Sequence, residues 1–172
     1  GPALGGCRMF AYNSRKAAIA DVCNLARGMS YKNALAGIPF GGGKSVIVGS
    51  PASKTPDLLE AFAEGLNALN GDYLSAEDSG ITPSDMAWVG RHSKFVAGAD
   101  ASSGGGNPAP FTARGVFLGL QAAAEARLGG VGLTGLRVGI EGLGQVGYAL
   151  AGMLHDAGAT VVASELNSTR LK

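Results

Sequence analysis

Hydrophobic and polar positions follow two rhythms along this chain, and the switches between them mark its elements. Gly5 to Tyr12 reads as an extended strand carrying Arg8. Apolar residues then recur at helical spacing at Ala18, Val22, Leu25, Ala26 and Met29. Ser14 can cap that long helix, and Gly37 with Pro39 closes it. Ser45 to Val48 predicts a short buried strand. Thr55-Pro56-Asp57 opens a second helix, with proline at the first helical position, that runs to Asn70-Gly71. Tyr73 to Ala76 predicts another strand, and Thr82-Pro83-Ser84-Asp85 a further helix start. A glycine-rich loop, Ser102 to Pro110, leads into an apolar helix from Thr112 to about Leu128. From Leu136 the order becomes strand (Arg137 to Glu141), glycine turn (Gly142 to Gly147), helix (Val146 to Ala157) and strand (Thr160 to Glu165).

Composition sharpens this picture. Glycine supplies 29 of 172 residues, more than twice the usual share of roughly 7%. The glycines cluster at 41–43, 104–106 and 142–147 instead of repeating, which suggests tight turns gathered around a ligand. The net charge is +1, with no basic run and few aromatics, so nothing points to nucleic acid. No apolar stretch is long enough to span a bilayer and no signal peptide precedes Gly1, so a cytoplasmic protein is expected. Cys7 and Cys23 lack metal or redox spacing and are expected to be reduced core or near-core thiols. His92 and His155 are isolated, and no metal site is expected.

The segment Gly41-Gly42-Gly43-Lys44 carries the strongest chemical signal. Three consecutive residues without Cβ let backbone, substrate and a lysine approach one another closely. Lys32, late in the long helix, reads either as a cation favourably placed near a helix C-terminus or as a clamp for a substrate carboxylate. Asp78 stands just past a strand end; alone it could be a turn residue. With Lys32 and Lys44 it completes a set of carboxylate binder, amine and proton shuttle.

Gly142-Leu143-Gly144-Gln145-Val146-Gly147 is a G-x-G-x-x-G that follows a strand and opens a helix, with the acidic Glu165 at the end of the next strand. Gly142 makes the turn, Gly144 admits a pyrophosphate to the backbone, and Gly147 brings helix and strand together. The pyrophosphate would meet the helix N-terminus at Gln145 and Val146. Glu165 would accept from the adenosine ribose and repel a 2′-phosphate, favouring NAD over NADP. The expected fold is therefore α/β. An N-terminal α/β substrate domain at 1–109, with a mixed sheet flanked by helices, precedes the start of a Rossmann NAD-binding domain at 110–172. A complete Rossmann domain needs more strands than those found before Lys172, so the chain reads as a fragment.

These residues together resemble the glutamate/leucine/phenylalanine/valine dehydrogenase family. The likeness rests on Gly1-Pro2-Ala3-Leu4-Gly5-Gly6, Arg27 to Lys32, Ile38 to Pro51, Ala76-Glu77-Asp78, Asn107 to Thr112 and the Gly142 loop. It implies NAD-dependent oxidative deamination of an L-amino acid to a 2-oxo acid and ammonium, by an enzyme that is typically a homo-oligomer. By resemblance, Lys32 matches the lysine that binds the substrate carboxylate, Lys44 the lysine that activates water, and Asp78 the aspartate that moves protons. Thr112 matches a threonine near the nicotinamide, and Glu165 the ribose ligand. Leu4, before Gly5 and Gly6, stands where the glutamate branch typically has a lysine for the side-chain carboxylate. An apolar wall there favours leucine-like substrates, with valine or phenylalanine next, because an unpartnered buried carboxylate is costly. Ser79, Ile81 and Arg114 depart from the leucine-type pattern without removing a catalytic group. A glutamate-type enzyme and a non-catalytic NAD- or amino-acid-binding homologue are the alternatives.

Overall fold

A computed structural model describes residues 1–98, 107–130 and 132–171. The chain divides into two compact units, Gly1–Gly106 and Asn107–Lys172. The second begins where Asn107 accepts the amide N–H of Ala109 at 2.9 Å, just ahead of the first helix of that unit. Most of the predicted glycine loop, 102–106, lies outside the described residues.

The first unit is organised by one strand. β1 (Ala3–Phe10) is bordered on one side by β2 (Gly41–Gly42) and β3 (Ser45–Val48), and on the other by β4 (Tyr73–Ala76). Among the described residues all pairings between named strands are parallel; beyond these pairings lie two isolated bridges, Ser75–Val96 (parallel) and Asp78–Ile81 (antiparallel, within a turn). Ala3 faces Gly41 and Cys7 faces Ser45 at the same offset, so β2 and β3 are one strand interrupted in register at Gly43 and Lys44. Strand β3 was expected to be buried. It is only half-buried, and Val48 is 59% exposed, because among the described residues β3 pairs on its β1 side alone.

Local sequence sets the helices. Ser14 caps α1 (Arg15–Leu35), accepting the N–H of Ala17 at 3.1 Å, and Gly37 turns the chain at φ +66°. Thr55 caps α2 (Pro56–Ala68), while Thr82 and Asp85 form a reciprocal capping box on α3 (Pro83–Val89). Asp85 also pairs with Lys54, tying α3 to the segment after β3. Leu59, Ala63 and Leu66 of α2 pack with Met86 and Val89 of α3 against Cys7, Met9, Tyr73 and Ile81. Helix α1 differs: of its 21 residues only Ala18 and Asn33 are buried, and Cys23, expected near the core, is exposed.

The second unit runs α4 (Ala109–Leu128), β5 (Arg137–Glu141), α5 (Gln145–Asp156), β6 (Thr160–Ser164), with β5 and β6 parallel. Helix α4 starts at Ala109, ahead of the predicted Thr112, which places Thr112 in its first turn. Ala113, Leu133, Ile140, Leu150, Leu154 and Ala159 form its core. No helix among the described residues is long and apolar enough to cross a membrane.

Candidate functional site

Glycine is what allows the first site to form. A Cβ on Gly42 would collide with the Ser30 nitrogen and the Ala26 carbonyl oxygen, so α1 lies directly on the backbone of β2. A Cβ on Gly5 would strike the Gly43 carbonyl oxygen and come within 3.1 Å of Met29 Cγ. On Gly6 it would fall 2.5 Å from the Glu77 carbonyl oxygen, 2.8 Å from Asp78 Cβ and 3.1 Å from Lys44 Nζ. Contacts that close are not tolerated, so Gly6 is what lets Asp78, in the turn after β4, and the Lys44 ammonium meet beside β1.

Two polar groups pin this glycine strand. Asn33, 2% exposed, donates from Nδ2 to the Gly41 carbonyl at 2.8 Å and to the Leu4 carbonyl at 3.3 Å. The Tyr73 hydroxyl donates to the Gly5 carbonyl at 2.9 Å and lies 3.1 Å from Ser45 Oγ. A buried polar group that lost its partner would cost about 1–3 kcal/mol, so these contacts fix register as well as adding stability. Sequence patterning gave no sign of either role, since both depend on strands distant in the chain.

Lys44 and Asp78 are brought together. Lys44 Nζ lies 2.9 Å from Asp78 Oδ2, and the lysine side chain is only 6% exposed against 25% for the aspartate. Burial pushes the Asp78 carboxyl up, but the hydrogen bond and charge of Lys44, the Ser79 backbone N–H and then the charge of Arg8 outweigh it and hold the group below its ordinary value. Asp78 is therefore a carboxylate across the neutral range. Next to it, Glu77 is raised by its own burial and by the Asp78 charge. Burial pushes the Cys7 thiol up to about 11, so it stays protonated.

Arg8 is the member of this cluster whose role the sequence did not reveal. Its Nε donates to Asp78 Oδ2 at 3.0 Å and its Nη1 to Asp21 Oδ2 at 3.2 Å. The Tyr12 hydroxyl donates to the same Asp21 oxygen. Leu4 is half-buried beside Gly5 and Gly6, which are buried. Lys32 is exposed on α1, one residue before the buried Asn33, and makes no ion pair among the described residues.

The other expected residues lie in the second unit. Gly142 adopts φ +91°, in the turn where β5 ends. A Cβ on Gly147 would collide with the Gly142 carbonyl oxygen, whereas a Cβ on Gly144 would meet no protein atom within 4 Å. Gln145 and Val146 begin α5, whose N-cap Gly144 provides no side-chain acceptor. The first N–H groups of that helix therefore remain available to an anion. Glu165 Oε2 accepts the Leu143 N–H at 2.7 Å and Oε1 the Asn167 N–H at 2.8 Å. Those backbone bonds hold its carboxyl below the ordinary glutamate value. Thr112 is exposed on α4. Among the described residues no group of three or more metal-binding side chains occurs.

Comparison with known proteins decides the family. The model of the Glu/Leu/Phe/Val dehydrogenase dimerisation domain matches residues 1–95. The chain belongs to this family. It is 44% identical to leucine dehydrogenase of Bacillus subtilis (strain 168) over 169 residues, covering 97% of this chain and 46% of the relative. The crystal structure of L-tryptophan dehydrogenase from Nostoc punctiforme superposes with a TM-score of 0.66 at 39% identity, over 99% of this chain and 48% of that one. A hetero-hexameric glutamate dehydrogenase from Thermus thermophilus, in a Leu-bound form, gives a TM-score of 0.79 at 29% identity, over 96% of this chain and 42% of that one. The chain spans about half the length of the curated relatives it matches.

Proposed function

We propose that this family member takes part in NAD-dependent oxidative deamination of an apolar L-amino acid, leucine-like first, with valine or phenylalanine next. The observation that carries the reading is the Lys44–Asp78 pair, 2.9 Å apart at the end of a glycine-built strand, with Lys44 almost wholly enclosed. Similarity to dehydrogenases of leucine and tryptophan supports the reaction class. Lys32 makes no ion pair among the described residues, which suits it to receive the substrate α-carboxylate. Leu4 gives the site an apolar wall with no countercharge for a side-chain carboxylate, and this favours leucine over glutamate.

The chemistry follows from the charges. Asp78, kept ionised, accepts a proton from the substrate amino group and returns it to the leaving ammonia. NAD, when bound, supplies the acceptor for the hydride of the substrate Cα. Lys44 orients and polarises the water that adds to the resulting iminium carbon, and the carbinolamine collapses to the 2-oxo acid. The amino acid, water and NAD+ thus become oxo acid, ammonium, NADH and one proton released to solvent.

Three features of the second unit support a cofactor role for it. Gly144 leaves room that a side chain would fill, the start of α5 offers unpartnered N–H groups, and Glu165 stands tied to the same loop. In this reading β5, α5 and β6 are the start of the Rossmann NAD-binding domain. Gly142, Gly144, Gln145, Val146 and Gly147 hold the pyrophosphate, Glu165 the ribose, and Thr112 approaches the nicotinamide. The division of labour at 1–109 and 110–172, a cytoplasmic location and homo-oligomer formation through the first unit belong to the same proposal. The dimerisation-domain match supports the last of these.

The test is NADH formation by the full-length protein with L-leucine, L-valine, L-phenylalanine and L-glutamate in parallel. Turnover of the apolar substrates exceeding that of glutamate is expected. Faster oxidation of glutamate would overturn the role given to Leu4, and no turnover in a folded protein that binds NAD would overturn the reaction.

A further inference from the structure

We infer that Arg8 is a positioning residue for proton transfer: it grips one oxygen of Asp78 and leaves the other facing the reacting amine. The inference rests on the function proposed above for Lys44 and Asp78. Both cations converge on a single atom, Asp78 Oδ2, with Lys44 Nζ at 2.9 Å and Arg8 Nε at 3.0 Å. No side chain among the described residues donates to Oδ1, and the Ser79 backbone N–H also bonds the Asp78 carboxylate, adding to its orientation. A carboxylate held through one oxygen by two donors from separate segments cannot rotate about its Cβ–Cγ bond without breaking both contacts. The oxygen left over is thereby aimed.

The grip is itself braced. Arg8 Nη1 reaches Asp21 of α1 at 3.2 Å, and Tyr12 donates to the same Asp21 oxygen. Three elements therefore meet at one guanidinium: the central strand, the long helix and the turn after β4. A planar fork suits this job, because Nε and Nη1 point to two carboxylates in fixed directions, whereas an ammonium would have to choose. Arg8 and Asp78 are each about one-quarter exposed, and a partly exposed ion pair adds only modest net stability. Stability alone is thus a weak reason for an arginine here; order at Asp78 is a stronger one.

The ionisable groups around Asp78 are Arg8 and Cys7 on β1, Lys44 between β2 and β3, and the neighbouring Glu77. Behind Arg8 stand Asp21 and Tyr12. Of these, Arg8 and Lys44 favour the Asp78 carboxylate by their charges. Removing Arg8 therefore moves Asp78 ionisation to higher pH and frees its rotation.

The experiment compares Arg8→Met and Arg8→Lys with the wild type in the full-length protein. Measured are kcat, KM for L-leucine and the pH dependence of kcat/KM. Arg8→Met is expected to lower kcat by about ten- to a hundredfold with KM nearly unchanged. It should also shift the acidic limb of the profile to higher pH. Arg8→Lys is expected to restore the limb but not kcat, since charge returns without the fork. An acidic limb that stays in place in a folded Arg8→Met variant would overturn the inference. The carboxyl-carbon NMR titration of Asp78 in the full-length protein, wild type against Arg8→Met, gives a second readout independent of turnover. If the wild type oxidises no amino acid, the proposed function fails on its own account. An unmoved Asp78 titration would still refute the influence of Arg8, and an altered Tm with neither shift would mark a purely structural residue.

Discussion

Two glycine clusters among the described residues use the same residue for opposite ends. In the first unit the glycines are filled in by protein: side chains added at Gly5, Gly6, Gly42 or Gly43 would meet a carbonyl, Asp78, helix α1 or the Tyr73 ring. In the second, Gly147 is crowded by the Gly142 carbonyl, but Gly144 faces nothing within 4 Å. The first cluster thins a strand so that a lysine and an aspartate can meet across it. The second keeps a surface open beside a helix N-terminus. A glycine motif is therefore read best by what a methyl group would strike there.

Substitutions can break that contrast. The largest effect is expected at the centre of the first cluster, where Lys44→Met should reduce turnover about a thousandfold, within the range of acid–base and polarising groups. Near-normal initial rates would end the role assigned to Lys44. Gly5→Ala should destabilise the first unit by about 3 kcal/mol, as overpacking against backbone does. Chemical denaturation reads this directly, and an unchanged midpoint would show that the strand yields. Gly144→Ala should leave stability within about 0.5 kcal/mol. It should weaken NAD binding by about tenfold, equivalent to ~1.4 kcal/mol, in a fluorescence titration. Equal losses of stability at Gly5 and Gly144 would erase the distinction between the clusters.

Acid stability gives a smaller and more specific effect. Burial pushes Asp78 and Asp85 up, but Lys44 with Arg8, and Lys54 with the Thr82 backbone and hydroxyl, bring each below its ordinary value. A depressed folded value means that the stabilisation is complete above the unfolded value, near about 3.9, and is lost as pH falls through the folded one. Urea midpoints should therefore drop between about pH 5 and pH 2. The drop should be shallower in Asp85→Asn; an identical slope would show that the Lys54 pair does not contribute.

What the sequence revealed and what it hid follow the same physical line. Ser14, Thr55 and Thr82 act within a turn of themselves, so their caps were legible. The G-x-G-x-x-G loop was legible for the same reason, being strand, turn and helix in succession. Strand β2 was not, because Gly41 and Gly42 carry no strand signal and pair only because β1 receives them in register. Lys44 and Asp78 were found as candidates from their local settings, but the 2.9 Å contact between them needed the fold. Arg8 was visible as a strand residue and its partners were not, for they come from α1 and from beyond β4. Asn33 gave no signal at all, since a polar residue late in an exposed helix looks like any solvated one.

The most direct test of the account is the initial rate of NADH formation from L-leucine by the full-length protein, wild type against Asp78→Asn. Circular dichroism and NAD titration would run alongside to confirm that the variant folds and binds cofactor. The account predicts a rate at least about a hundredfold lower in Asp78→Asn, with fold and NAD affinity retained. Equal rates in the two proteins would contradict it, and would separate the Lys44–Asp78 pair from the chemistry of the site.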